Sequence, residues 1–306
     1  MSVALLFVQL ALALALAPLL NGLIKTFKAR WQNRRGPGLL QPWFDLMKYL
    51  SKESVVSDQA SWIFRWAPSV YFGAHLTAAG LVPMFLAHPP LTRIGDAIVL
   101  AGLFALARFA LALAALDTGS NFGGMGASRE LAFAALTEPA LLLVIFALAI
   151  PVGSTSLEAL TQGTPGVTSL LAFVALFVVA IAETGRIPVD NPDTHLELTM
   201  VHEGMLLEYS GRPLGLLLWG THLKQLVVLS LIAALFLPIG LARELSVPAL
   251  SLGVAGFVVK VALLGLALGL VETCYAKLRI FRVPALLGAA SLLGLMAAVA
   301  TYVTGH

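Results

Sequence analysis

The sequence predicts an all-α polytopic membrane protein, with about eight transmembrane helices and with amphipathic and acidic loop segments on the cytoplasmic side. Three observations predict it. Hydrophobic residues make up 59% of the chain and charged residues only 11%, and the mean hydropathy is +0.91, values far from those of a soluble domain. Apolar runs of about 20 residues recur, each long enough to cross a hydrocarbon core of roughly 30 Å. Lys and Arg are shared unevenly among the segments that join these runs. The spans must be helical, because the two-residue alternation of a membrane barrel is missing.

The first run, 2–24, is followed by basic residues rather than preceded by them. Ala15-Leu16-Ala17 resembles a cleavage site, but with no basic n-region the run reads as a retained first helix. Segment 25–66 holds Lys25, Lys28, Arg30, Arg34, Arg35, Lys48, Lys52 and Arg65. Runs 67–87 and 97–116 follow, then loop 117–130 with Arg129, and runs 131–151 and 169–185. Segment 186–213 carries Arg186 and Arg212. Runs 214–240 and 248–271 precede segment 272–283, with Lys277, Arg279 and Arg282, and the last run is 284–303. The alternate connections offer only Arg93 and Arg243. Basic loops stay in the cytoplasm, so both termini are expected outside. The net charge of +3 then reflects topology, not nucleic-acid binding. One cysteine, Cys274, excludes an internal disulfide and cannot alone hold a cluster or a structural zinc. It is expected to be a small buried apolar residue.

Two segments between spans stand out. In 25–66, Arg34-Arg35-Gly36-Pro37-Gly38 is turn chemistry. From Trp43 onward apolar residues alternate with Asp45, Lys48 and Lys52 as in a helix lying at an interface. It is either a basic membrane-surface helix or a docking surface for a soluble partner. In 183–211 lie six of the sixteen acids: Glu183, Asp190, Asp193, Glu197, Glu203 and Glu208. Thr194 to Glu197 fits a capping box, which predicts a short helix from there to about Tyr209, with Gly211 left-handed and Pro213 blocking continuation. Glu197, Val201, Gly204 and Glu208 would share one stripe, the two acids roughly 16 Å apart. Glu197 is equally well explained as a cap. His195 and His202 are about 10 Å apart along such a helix, too far to share a metal ion. The glycine-rich stretch "DTGSNFGGMGASRE" lacks the P-loop pattern and reads as tight backbone packing at a turn.

Ionisable residues also fall inside the spans: Arg108, Glu138, Glu183, Lys224 and Lys260. A central charge costs roughly 2.5–3.5 kcal/mol on insertion scales, so such groups need partners. They are either salt bridges between helices or a hydrated path along which carboxylates and lysines pass protons, since burial brings both toward neutrality.

Four motifs carry a resemblance: "NRRGPGLLQPWFDLMKYLSKE", "DTGSNFGGMGASRE", "ETGRIPVDNP" with "LEYSG", and "LKQLVVLSL". In their order and spacing the chain resembles the membrane subunit family shared by respiratory complex I, where it is subunit 1, and the energy-converting group 4 [NiFe] hydrogenases. The wording of "RRGPG" and "DTGS" is similar to the formate hydrogenlyase/hydrogenase-4 branch. The resemblance implies a non-catalytic subunit of the inner membrane that joins a soluble redox arm to an antiporter-like membrane arm. Glu138, Glu183, Asp190, Glu197 and Glu208 would line a proton path, with Asp193 and Glu203 in the same acidic cluster and Arg108, Lys224 and Lys260 as charged neighbours. Arg34, Arg35, Gly36, Pro37, Gly38, Gln41 and Asp45 would face hydrogenase-like large and small subunits. No metal or cofactor is expected in this chain; a [NiFe] centre and iron–sulfur clusters would belong to partners. The alternatives are the equivalent subunit of an NADH-quinone oxidoreductase, a stand-alone secondary transporter, which would favour paired repeats that this chain lacks, and an inert anchor.

Overall fold

The computed structural model describes residues 2–89, 91, 94–163, 166–191, 200–242 and 244–304. It is all-α among them. Eight long helices stand where the eight apolar runs lie: α1 Ser2–Trp31 is followed by the short α2 Gln41–Ser51, then α3 Trp62–Leu81, α4 Ala97–Asp117 and α5 Asn121–Val152. After α6 Leu157–Leu160 come α7 Val167–Glu183, the single turn α8 His202–Leu206, α9 Gly211–Phe236, α10 Val247–Cys274 and α11 Val283–Thr304. Six of these helices are long and apolar enough to cross a membrane by length and composition, namely α1, α4, α5, α9, α10 and α11. α7 is apolar but shorter, and α3 is the least apolar of the eight.

Caps and prolines set the boundaries, and they move several of the expected ones. The Ser61 side chain accepts from Ile63 N, so α3 begins five residues before the apolar run. It stops at Leu81, because Pro83 biases Val82 to the extended form seen there. The apolar tail Val82, Met84, Phe85 and Leu86 is core-filling loop rather than span. The fourth span is also longer than expected. Ser120 caps a 32-residue α5, which absorbs the glycine-rich stretch read as a turn. The expected tight packing is there, on a helix: a Cβ on Gly126 would lie 2.9 Å from the Val201 carbonyl oxygen. The helix predicted from Thr194 to Tyr209 is not continuous. Residues 192–199 lie outside the described part, Met200 and Val201 are not helical, and only His202–Leu206 forms a turn. Gly211 is left-handed as expected, with φ +54°. It opens α9 instead of closing a helix, and Pro213 sits in that first turn, where a missing N–H costs nothing. Cys274 is exposed, not buried, because it is the last residue of α10.

α9 is the axis of the assembly. It packs against α1, α2, α3, α7 and α10, and 78% of its apolar window is buried against 28% for α1 and α11. α5 joins α4, α7, α8 and α11 around it. Leu252, Val259 and Leu263 on α10 and Leu292, Met296 and Val299 on α11 face outward, as lipid-facing or partner-facing side chains would. α2 is wedged rather than laid on a surface. Trp43 Nε1 donates to Ala15 O at 3.2 Å and its ring meets Trp219 edge-on at 5.7 Å, while Phe44 and Met47 stay exposed.

Candidate functional site

Four helices bring charges to one buried point. Arg108 on α4 donates through Nη1 to Glu138 on α5 and through Nη2 to Glu183, the last residue of α7. Its Nε lies 3.6 Å from Glu130 on α5. Lys224, half-way along α9, places Nζ 2.8 Å from the other oxygen of Glu183. Glu183 and Arg108 are buried, whereas the Glu138 side chain is 39% exposed. It opens onto a 560 Å³ cavity on the outward face of α4 and α5, lined also by Arg108, Phe109 and Leu131. Two cations thus meet three carboxylates. Unit charges 4 Å apart at an effective dielectric constant near 20 interact by about 4 kcal/mol, so protonating any one carboxylate changes how tightly the others are held.

A string of polar groups stands beside this cluster and reaches the acidic loop. Tyr71 OH and His202 Nε2 both lie within hydrogen-bond reach of Thr221 Oγ1, at 3.3 and 3.2 Å. His75 Nδ1 donates to Tyr71 O at 2.8 Å; a carbonyl can only accept, so this contact fixes the tautomer. The backbone N–H of His202 points at Asp190 Oδ2 at 3.4 Å, and Lys277 Nζ pairs with Asp190 Oδ1 at 2.7 Å. Tyr209 stacks on Phe64 with centroids 3.9 Å apart and donates to Phe64 O at 2.9 Å. Burial pushes its hydroxyl pKa up.

A second buried cluster lies one turn beyond Glu183. Arg186 reaches Glu272 on α10 at 3.3 Å, Gln225 on α9 at 2.8 Å and Asn21 on α1 at 3.3 Å. Lys28 lies 3.1 Å from the other Glu272 oxygen.

Of the residues singled out in the sequence, Arg108, Glu138, Glu183 and Lys224 come together in one cluster, and Asp190 stands apart from it, at the loop end of the polar string. Glu203 is half-buried in the first turn of α8, and Glu208 is exposed beyond its end. Asp193, His195 and Glu197 lie outside the described residues. Lys260 stands elsewhere: its ammonium donates to Leu237 O and Ile239 O at 3.0 Å each, capping the carbonyl end of α9. Arg34, Arg35, Gln41 and Asp45 are exposed, with Arg34 donating to Gln32 and Gln41 to Asp45 at 2.9 Å. Gly36, Pro37 and Gly38 form the loop between α1 and α2. Glu130, Glu272, Tyr71, His75 and Thr221 were not foreseen. Glu130 was hidden in a presumed loop. Glu272 had a usable signal: an acid at the end of an otherwise apolar helix needs a cation.

Comparison with known proteins gives this chain a family. A family model described as NADH dehydrogenase matches residues 3–303. The chain belongs to the NADH dehydrogenase family. It is complex I subunit 1-like, and family members with similar sequences include formate hydrogenlyase subunit 4 of Escherichia coli (strain K12), 38% identical over 286 residues and covering 92% of each chain. Hydrogenase-4 component C of the same organism is 38% identical over 275 residues, 88% of this chain and 86% of that one. An NADH-quinone oxidoreductase subunit of Syntrophotalea carbinolica is 31% identical over 228 residues, 68% of each. The family fold also recurs in a chain of the membrane-bound sulfane sulfur reductase, an archaeal respiratory membrane complex, with TM-score 0.85, 20% identity, and coverage of 98% of this chain and 99% of that one.

Proposed function

We propose that this chain is the membrane subunit of an energy-converting hydrogenase complex of the formate hydrogenlyase/hydrogenase-4 type, coupling a soluble electron-transfer arm to proton translocation. The observation that carries the reading is the Arg108 cluster, with its surplus carboxylate, the polar string that stands beside it and reaches Asp190, and its opening at Glu138. Arg108 stays protonated throughout and is the fixed charge for which Glu130, Glu138 and Glu183 compete. A proton reaching Glu183 from the Asp190 side neutralises it, which weakens the hold of Arg108 on Glu183 and tightens that on Glu138. Passage of that proton to Glu138 and its release there reverse this. The two relatives named for hydrogenases match at higher identity and coverage than the quinone oxidoreductase relative, which supports the hydrogenase branch; the equivalent subunit of a complex I-like NADH-quinone oxidoreductase is the second reading.

In this reading the basic loops face the cytoplasm, both termini lie outside, and the membrane is the inner one. The [NiFe] centre and iron–sulfur clusters belong to hydrogenase-like large and small subunits, and antiporter-like subunits pack at the Glu138 side. Arg34 and Arg35, exposed beside α2, dock the soluble arm. Mild solubilisation followed by identification of the co-purifying chains tests the assignment: recovery of quinone-reductase chains in place of hydrogenase-like ones would reverse the preference. An Arg34→Ala/Arg35→Ala protein should insert normally and lose the soluble chains in high salt, since truncating an interfacial arginine costs about 2 kcal/mol or more. A complete soluble arm at high salt would remove the docking role.

A further inference from the structure

The loop between α1 and α2 folds back along α1 instead of leaving it. Arg34 N donates to Ala29 O at 2.8 Å, and Thr26 Oγ1 to Pro37 O at 2.8 Å. Asn33 takes a φ of 53° at the reversal. Gly36 lies so close to α1 that a Cβ there would sit 3.0 Å from Thr26 Cα. The fold-back encloses a cleft of 340 Å³ lined by Lys25, Lys28, Gln32, Arg34, Arg35 and Pro37. Four of those six side chains are cationic. Lys28 faces Glu272 and Arg34 donates to Gln32; among the described residues Lys25 and Arg35 meet no carboxylate.

We propose that this cleft binds a phosphate-bearing anion, the headgroup of an acidic phospholipid. A preformed concavity lined by Lys25 and Arg35, which meet no carboxylate among the described residues, calls for an anion. Phosphate offers several acceptor oxygens to lysine and arginine donors. Depth selects the lipid as its source. Lys25 directly follows the apolar run of α1, which sets its ammonium at headgroup level, and the Phe27–Trp31 edge pair, 4.2 Å between centroids, lies on the same last turns. Aromatic rings concentrate at that level, and basic pockets there suit anionic headgroups. Leu39 and Leu40, exposed on the fold-back loop, give acyl chains a surface. The inference does not depend on the proton path.

The test uses the complex purified in mild detergent and stripped of lipid. It is titrated with phosphatidylglycerol, phosphatidylcholine or sodium phosphate, with thermal unfolding and bound phosphorus as readouts. Phosphatidylglycerol should bind and raise Tm, and phosphatidylcholine should do so far less. Lys25→Gln should weaken phosphatidylglycerol binding about fivefold, as expected for one basic residue at a membrane surface, with Lys25→Arg restoring it. Lys48→Gln, outside the cleft, should leave it unchanged. Equal affinity in wild type and Lys25→Gln, or no preference over phosphatidylcholine, overturns the site. Saturation by inorganic phosphate alone removes the lipid as the source. Phosphatidylglycerol retention that tracks the soluble chains instead of Lys25 identifies an acidic protein segment as the occupant and also overturns it. If Lys25→Gln does not accumulate, Arg35→Gln decides, read at low salt on preparations that retain the soluble chains Arg35 is proposed to dock: full phosphatidylglycerol affinity there refutes the proposal.

Discussion

Glu183 and Arg186 sit one turn apart at the end of α7, and each is the centre of a buried charge cluster of opposite balance. Around Glu183, Arg108 and Lys224 face three carboxylates, one of which reaches an open cavity. Around Arg186, among the described residues, two cations face the carboxylate of Glu272, whose side chain is fully buried, and the amides of Asn21 and Gln225 complete the contacts of Arg186. Surplus carboxylate means that Arg108 keeps a carboxylate when one of its three is protonated. Neutralising Glu272 leaves Arg186 with none among the described residues. The first cluster is therefore suited to exchange and the second to holding α1, α9 and α10 around the end of α7.

The comparison breaks most sharply at Glu272. Glu272→Gln keeps the shape but leaves Arg186 with no carboxylate among the described residues, and removing one partner of a buried pair costs about 3–5 kcal/mol. The expected result is loss of the accumulated subunit, read by immunoblot of membranes and by Tm in detergent. A stable protein at wild-type level would show that the cluster is not a lock.

Glu183→Gln should behave in the opposite way. Glu130 and Glu138 still face Arg108, and Lys224 alone loses its described carboxylate, so the subunit should accumulate better than the Glu272→Gln protein. Proton-coupled turnover in inverted vesicles, followed with a pH-sensitive dye, should fall about a hundredfold, the lower end of what a positioned proton-transfer group contributes. Undiminished coupling would take Glu183 out of the mechanism.

The smallest effect sharpens the link between cluster and loop. Thr221→Val removes the hydroxyl that Tyr71 and His202 share while preserving volume. One net hydrogen bond is worth about 1 kcal/mol, so coupled turnover should drop about fivefold with abundance unchanged. No change in turnover would show that the string is only structural.

Much of this was legible in the residues. The apolar runs placed all eight long helices, because a hydrocarbon-length stretch has no other stable form. The in-span charges Arg108, Glu138, Glu183 and Lys224 announced themselves by their cost. Lys260 was flagged by the same argument and lies elsewhere, since apolar sequence reports depth along a helix but not the direction a side chain takes across the bundle. Glu130 was passed over because α5 begins ten residues earlier than its apolar run, at a Ser120 cap. The short helix expected at 194–209 failed at Met200 and Val201, where contact with α5, not local propensity, sets the backbone; Gly126 admits the Val201 carbonyl against it.

Sequence alone determined the solvent of this protein, the number and order of its long helices and the family motifs, because hydropathy, caps and prolines act within a few residues of one another. Only the tertiary structure decided which charges meet. Arg108 and Glu183 are 75 positions apart and Arg186 and Glu272 are 86 apart. Whether such groups exchange protons or lock helices depends on the count of cations and carboxylates that packing gathers at one buried point, a sum taken over α1, α4, α5, α7, α9 and α10 that no single stretch of the chain contains.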